Sequence, residues 1–367
     1  MRCVARRRRL GLAWIAAAAL AARPAAGTVL PDRKDAWIRV ETAHFTLFGD
    51  AGAVRTREIG LELEKLRSVL SLLEPSARSA PVPTLVFVFK SDAAIAPYKP
   101  LYLGKPTGAT GFFEGTSEGN FIALTASWTT DPRPVVYHEF LHYFLHSNFP
   151  PLPLWYEEGL ADFYSTFRAT SSAAEVGLPA ERHVACLMRE AMMPLDRLFA
   201  VSRDSPEYNE RSRQGMFYAE SWALVHYLME GAPRRAGQLS RYLRLLEQGT
   251  SRERAFRDAF GVEEAVLQGE LSRYVRKLSF PYRRFAYEDL KLPNRTATSP
   301  IDYAETLCRL GDLAAHGSPE RLPDAEAHFE AALALDPASA AALGGLGLIR
   351  LRQERAAEAQ ELLDRAL

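Results

Sequence analysis

The stretch VVYHEFLHYFLHSNFPPLPLWYEEGLADF, Val135 to Phe163, decides how the rest of this 367-residue chain is read. It opens as a long apolar helical run carrying His138, Glu139, His142 and His146. It breaks at Pro150, Pro151 and Pro153, then resumes as a second helix from about Leu154. His138 and His142 stand four residues apart, so on a helix both imidazoles share one face. A zinc ion takes neutral nitrogens at about 2 Å, and two of them one turn apart on a rigid helix are already placed for it. Glu139 points beside such an ion rather than at it, where it can take a proton from water. His146 continues the spacing but lies about 12 Å along the axis from His138, too far to share the ion. It reads as a flanking residue.

A catalytic zinc site needs a third protein ligand and an open position. Glu157 and Glu158 follow the proline break in WYEEGLADF. Glu158, near a helix start, can turn its carboxylate toward an ion held by an antiparallel neighbour. Asp162, four residues on, lies on the same face and can accept the far N–H of a ligating histidine. Gly159 would let the two helices approach closely. A plain acidic surface helix does not account for these features following HExxH in this order.

Trp155, Glu158, Gly159 and Ala161 resemble the WxxEGxA signature of gluzincin metallopeptidases. The resemblance implies that Glu158 is the third zinc ligand, Glu157 being the less favoured neighbour, and that Asp162 supports a ligating histidine. Fifteen residues separate His142 from Glu158, fewer than in the thermolysin-like and aminopeptidase groups. That spacing resembles the peptidase MA-like gluzincins, exported bacterial proteins often fused to tetratricopeptide repeats. The similarity runs from Trp37 to Leu278 and is most specific over Tyr137 to Phe163. It implies peptide-bond hydrolysis by a zinc-activated water, with Glu139 as general base and Zn2+ on His138, His142 and Glu158. It also implies an oxyanion donor on a later helix, for which Tyr218 in FYAESWALVHYL is the candidate and His226 a weaker second. An extended peptide would lie along an edge strand ahead of the catalytic helix, the place of NFIALTA here, through sequence-tolerant backbone pairing.

Around this centre, WIRVETAHFTLFG (37–49) alternates as a strand, and VRTREIGLELEKLRSVLSLL has helical spacing at Ile59, Leu63, Leu66, Leu70 and Leu73. VPTLVFVFK is a second strand closed by Ser91-Asp92, a helix cap, and GFFEGTSEGNFIALTA is a hairpin. Helices dominate from Met188 to Leu278. Strands first and helices after predict an α+β fold. The resemblance makes it a thermolysin-like, gluzincin catalytic domain: a mixed sheet, the HExxH helix and a helical lower part, over 28–278.

Ser279 to Pro300 is rich in proline and polar residues and reads as a linker, with a glycosylation sequon at Asn294-Arg295-Thr296. Beyond it, AEAHFEAAL (325–333) and AQELLDRAL (359–367) align at an offset of 34, the tetratricopeptide period. The 301–367 tail resembles two such repeats, with Gly311, Ala332, Gly347 and Ala366 at helix contacts. Two units leave apolar flanks, so the tail either docks on the catalytic domain or takes a protein partner. As a separate unit, its removal should spare the metal site.

MRCVARRRR followed by LGLAWIAAAALAA is a signal peptide over 1–27, with the mature chain starting near Thr28. Export to a bacterial periplasm or beyond is expected, or a membrane anchor if the segment is retained. Lys+Arg and Asp+Glu both number 45, which excludes nucleic acid as the main partner. Cys186 and Cys308 read as buried thiols rather than a bridge. His44, His183, His316 and His328 have no ligand spacing and read as structural or exposed. Peptides or proteins are the expected substrate. The alternatives are a non-catalytic tetratricopeptide interaction protein with a structural zinc site and, more weakly, a zinc hydrolase of non-peptide amides.

Overall fold

The computed structural model describes residues 29–73, 82–127, 131–170, 172–286 and 295–367. The segment expected to be a signal peptide and Asn294 lie outside the described residues. Among those described, no helix is long and apolar enough to cross a membrane.

A six-stranded mixed sheet organises the molecule. The stretch expected to form one strand over 37–49 is two: β1 (Ile38–Glu41) and β2 (Thr46–Gly49) pair antiparallel. The bend between them is held by Glu64, fully buried on α1 (Ala53–Leu73). Its carboxylate accepts from the Thr42 hydroxyl, the His44 backbone N–H and the His44 ring, each at 2.7 Å. A buried carboxylate needs such partners, and only a turned chain can supply them. β3 (Thr84–Phe89) joins β2 in parallel, and Ser91 caps the helical turn after it by accepting from Ala94 N. The hairpin β4 (Gly111–Gly115) and β5 (Asn120–Thr125) completes this side. β5 runs parallel to β3, which leaves β4 at the edge. The sheet's edge on this side is therefore GFFEG, not NFIALTA: β5 has neighbours on both sides and no free backbone groups to offer.

α2 (Arg133–Asn148) and α3 (Leu154–Ser165) follow, and both carry buried apolar side chains on several faces. β6 (Ala173–Val176), α4 (Glu181–Arg189), α5 (Arg211–His226), α6 (Gln238–Glu247), α7 (Arg252–Phe260) and α8 (Glu264–Arg276) build the helical part.

The expected 279–300 linker is not a free connector. β7 (Arg283–Ala286) pairs with β6, and β8 (Ala297–Pro300) pairs with β1 and forms the sheet's other edge. After it come two helix pairs, α9 (Tyr303–His316) with α10 (Leu322–Leu335), and α11 (Ala340–Arg352) with α12 (Ala356–Ala366). Small residues do sit at their contacts. A Cβ at Gly311 would meet the Phe329 ring at 2.9 Å, and one at Gly347 would meet Leu363 at 2.9 Å.

Alternation along the strands explains why the tail cannot stand apart. Val40, Leu47, Val86, Val88, Ile122 and Leu124 face α1, α2 and the helical part. Phe48, Phe87, Phe89, Phe121 and Ala123 point the other way, into one cluster with Leu307, Leu310, Leu313, Phe329 and Leu346 of the tail. The tail is the second layer of the sheet. Polar contacts fix its seat: His328 Nε2 lies 2.9 Å from the Tyr98 hydroxyl, and Arg321 donates to the Lys99 carbonyl. His316 stacks on Phe121 with centroids 4.5 Å apart. His44, His316 and His328 are thus structural. Cys308 is buried but Cys186 is only half-buried, and both are free.

Candidate metal centre

α2 ends before the Pro150-Pro151 pair, because a residue preceding proline disfavours helical geometry. The chain reverses through this loop, and α3 packs back against α2. A spacing of four on each helix then lines up two short columns, His138 and His142 on α2 facing Glu158 and Asp162 on α3. His138 Nε2 and His142 Nε2 are 3.0 Å apart. Glu158 Oε2 stands 3.2 Å from the first and 3.4 Å from the second. These three side chains each offer a ligand atom, all within 4.8 Å of one another. Asp162 Oδ1 lies 3.0 Å from His138 Nδ1. In the neutral ring, a proton on Nδ1 directed at that carboxylate leaves the Nε2 lone pair toward Glu158 and His142, free for a cation.

The donor set fits a divalent cation. Glu158 is 1% exposed, yet its Oε2 makes no hydrogen bond among the described residues. A buried carboxylate oxygen converging with two imidazole nitrogens is costly unless positive charge, a proton on the rings or a bound cation, sits among them. The electrostatics carry the same sign. Burial opposes charge on His138, but Asp162, Glu158 and Glu139 outweigh it and push the imidazole well above its usual range. Burial likewise acts to raise the Glu158 carboxyl, but His142 and His138 outweigh it and hold it well below the ordinary range. Two nitrogens and one carboxylate form a ligand set of the kind catalytic zinc takes.

Glu139 is 6% exposed, and its Cγ packs where a Cβ on Gly111 of β4 would come within 3.1 Å. Among the described residues it has no hydrogen-bond partner. Burial raises its carboxyl above the usual glutamate range, with the two histidines pulling the other way. Its group is a better proton acceptor near neutrality for that. Glu157, the alternative ligand, turns away and pairs with Arg203 at 3.0 Å. His146 packs on Phe113, centroids 5.6 Å apart, outside the cluster.

α5 brings Tyr218 to the site, its ring 6.3 Å from that of His138. Burial, with Glu158 and Tyr208 nearby, holds the phenol neutral, so it remains a donor. No described residue takes its hydroxyl. His226 sits elsewhere, buried between the Gly177 carbonyl and the Tyr274 hydroxyl, each at 2.8 Å. It is a structural residue.

Two residues gave no signal in the sequence. Tyr208, on a one-turn helix at Pro206–Asn209, donates to Glu158 Oε1 at 3.2 Å. His183, expected to be structural or exposed, places Nε2 2.9 Å from Asp162 Oδ2. Neither stands at a helical interval from the motif, so only folding brings them in.

Gly159 does permit a close approach, but to α5 rather than α2. A Cβ there would overlap the Ser221 carbonyl and come within 2.7 Å of Val225 Cγ2. Gly159→Ala should therefore force α3 and α5 apart and cost about 1–3 kcal/mol, read as a lowered melting temperature. An unchanged melting temperature would show the contact to be slack.

The fold and site thus define a mixed α/β protein with a His/Glu cluster able to hold a metal ion. Residues 135–250, under a third of the chain, match the model of a family described as a protein of unknown function, DUF1570. The matched region begins three residues before His138 and covers the whole cluster. No curated protein matches the chain.

Proposed function

We propose that this protein is a zinc metallopeptidase of the gluzincin type, with peptides or proteins as substrate. The observation that carries the reading is the buried, hydrogen-bond-free Glu158 Oε2 facing His138 Nε2 and His142 Nε2, with Glu139 beside them. His138, His142 and Glu158 would hold the Zn2+. When bound, such a cation supplies a Lewis acid for a carbonyl oxygen and a water of lowered pKa. Glu139, buried and uncommitted, accepts the proton of the attacking water and returns it to the leaving amine nitrogen. Tyr218, a neutral phenol beside His138, donates to the carbonyl oxygen as it gains negative charge. Tyr208 is already bound to Glu158 and serves the ligand instead. β4, the edge strand against Glu139, offers backbone groups to an extended substrate.

The non-catalytic alternative finds less support. A purely structural zinc site is closed by four protein ligands, whereas this cluster brings three and keeps a buried carboxylate beside them. The tail fits a pair of tetratricopeptide repeats in its 34-residue offset and paired helices. Its sheet-facing side is already used, so a partner would have to take the outer one.

Metal analysis of the purified protein with a peptide-library cleavage assay tests the proposal. Stoichiometric zinc and chelator-sensitive cleavage are expected; a metal-free protein that cleaves nothing would sink it. Export is tested separately. N-terminal sequencing should find a mature chain starting near Thr28, and an intact Met1 on cytosolic material would refute the signal reading.

A further inference from the structure

We infer that His183 is a positioning residue of the metal centre, holding the outer oxygen of Asp162 so that the His138 ring is fixed toward the ion. The inference rests on the metal-binding part of the proposed function and not on the substrate. Asp162 is buried between two imidazoles, Oδ1 at 3.0 Å from His138 Nδ1 and Oδ2 at 2.9 Å from His183 Nε2. A carboxylate held at one oxygen can still rotate about its own bond and carry its histidine with it. With His183 Nε2 against the second oxygen as well, at ion-pair distance though not aligned as a hydrogen bond, that rotation is opposed, and with it the swing of His138 Nε2. The energetic reason is the same one that makes groups behind metal-bound histidines costly to remove: a ligand that must be ordered on binding gives up part of its affinity.

His183 can do this because it is itself braced. It stands near the start of α4, and α4 packs along α5. Its ring lies 5.9 Å from that of Trp222, which is fully buried on α5. The helix that presents Tyr218 to the site therefore also backs the chain His183, Asp162, His138. α4 would then belong to the metal centre although it contributes no ligand.

The test is zinc affinity of the purified full chain, measured by competition with a chromogenic chelator, together with the visible absorption of the cobalt-substituted protein. His183→Phe keeps the ring volume against Trp222 but removes the nitrogen that faces Asp162. Its zinc dissociation constant should rise about tenfold, with an altered cobalt spectrum. His183→Gln has an amide N–H the same number of bonds from Cα as Nε2 and should stay within about threefold of the parent. If His183→Phe binds zinc as tightly as the parent with the same cobalt spectrum, the inference is overturned. Should His183→Phe fail to fold, His183→Asn replaces it, being too short to reach Asp162. Loss of affinity with Asn but not Gln supports the inference, and parental affinity in both overturns it. A parent chain that binds no zinc would bring down the metal-centre reading itself, an outcome distinct from any difference among variants.

Discussion

Glu139→Gln is expected to retain stoichiometric zinc while peptide turnover falls by at least about a hundredfold. The substitution keeps size and helix propensity, and no described hydrogen bond is lost with it. What disappears is the proton acceptor. Changing His138, His142 or Glu158 to alanine should do the reverse, because each removes one of three groups converging on a single point. Bound zinc should drop sharply, and activity with it. Asp162→Asn should fall between, weakening metal binding about ten- to a hundredfold through loss of support for His138. Glu157→Ala should keep its zinc, since Glu157 is turned to Arg203. An active Glu139→Gln variant would end the catalytic proposal. Zinc lost from Glu157→Ala but kept by Glu158→Ala would move the ligand by one residue.

The second large effect concerns the tail. Removing residues 295–367 strips β8 from the sheet edge and uncovers the face bearing Phe48, Phe87, Phe89 and Phe121, with Trp37 beside them. An aromatic side chain buries about 150–250 Å². Losing about a third of that cover on five rings, at about 25 cal/mol per Å², amounts to roughly 6–10 kcal/mol. A domain's whole stability is about 5–15 kcal/mol. The truncated chain should therefore be insoluble or expose apolar surface to dye binding, and it should lose zinc because the sheet that seats α2 is gone. This reverses the expectation that a separable tail could be deleted without cost to the site. A truncated protein that folds and binds zinc would show that the tail merely rests on the sheet.

The candidate metal cluster was legible in the sequence because it is local. His138, His142, Glu158 and Asp162 stand at intervals of four on two helices joined by a proline break, and the helical period alone puts each pair on one face. Glu139 follows from the same geometry, and the choice of Glu158 over Glu157 leaned on a family signature before the Arg203 contact supported it. The strands and hairpin were equally visible, through alternation and turn residues. Where one strand was expected over 37–49, the burial of Glu64 on the helix that follows folded the chain into two, which strand alternation does not record.

What tertiary structure decided are the meetings between segments. Pairing of β5 with β3 made β4 the edge and took that role from NFIALTA. The aromatic face of the sheet had to be covered, and a linker that looked free by composition became an edge strand leading the tail onto it. His183 and Tyr208 reached the acidic residues of α3 through the packing of α4 and a one-turn helix. Periodicity tells which side chains share a face of one element; which face meets which is set by burying apolar area across the whole chain. The sequence by itself therefore determined the candidate ligands and base, and only the packed fold decided what holds them in place.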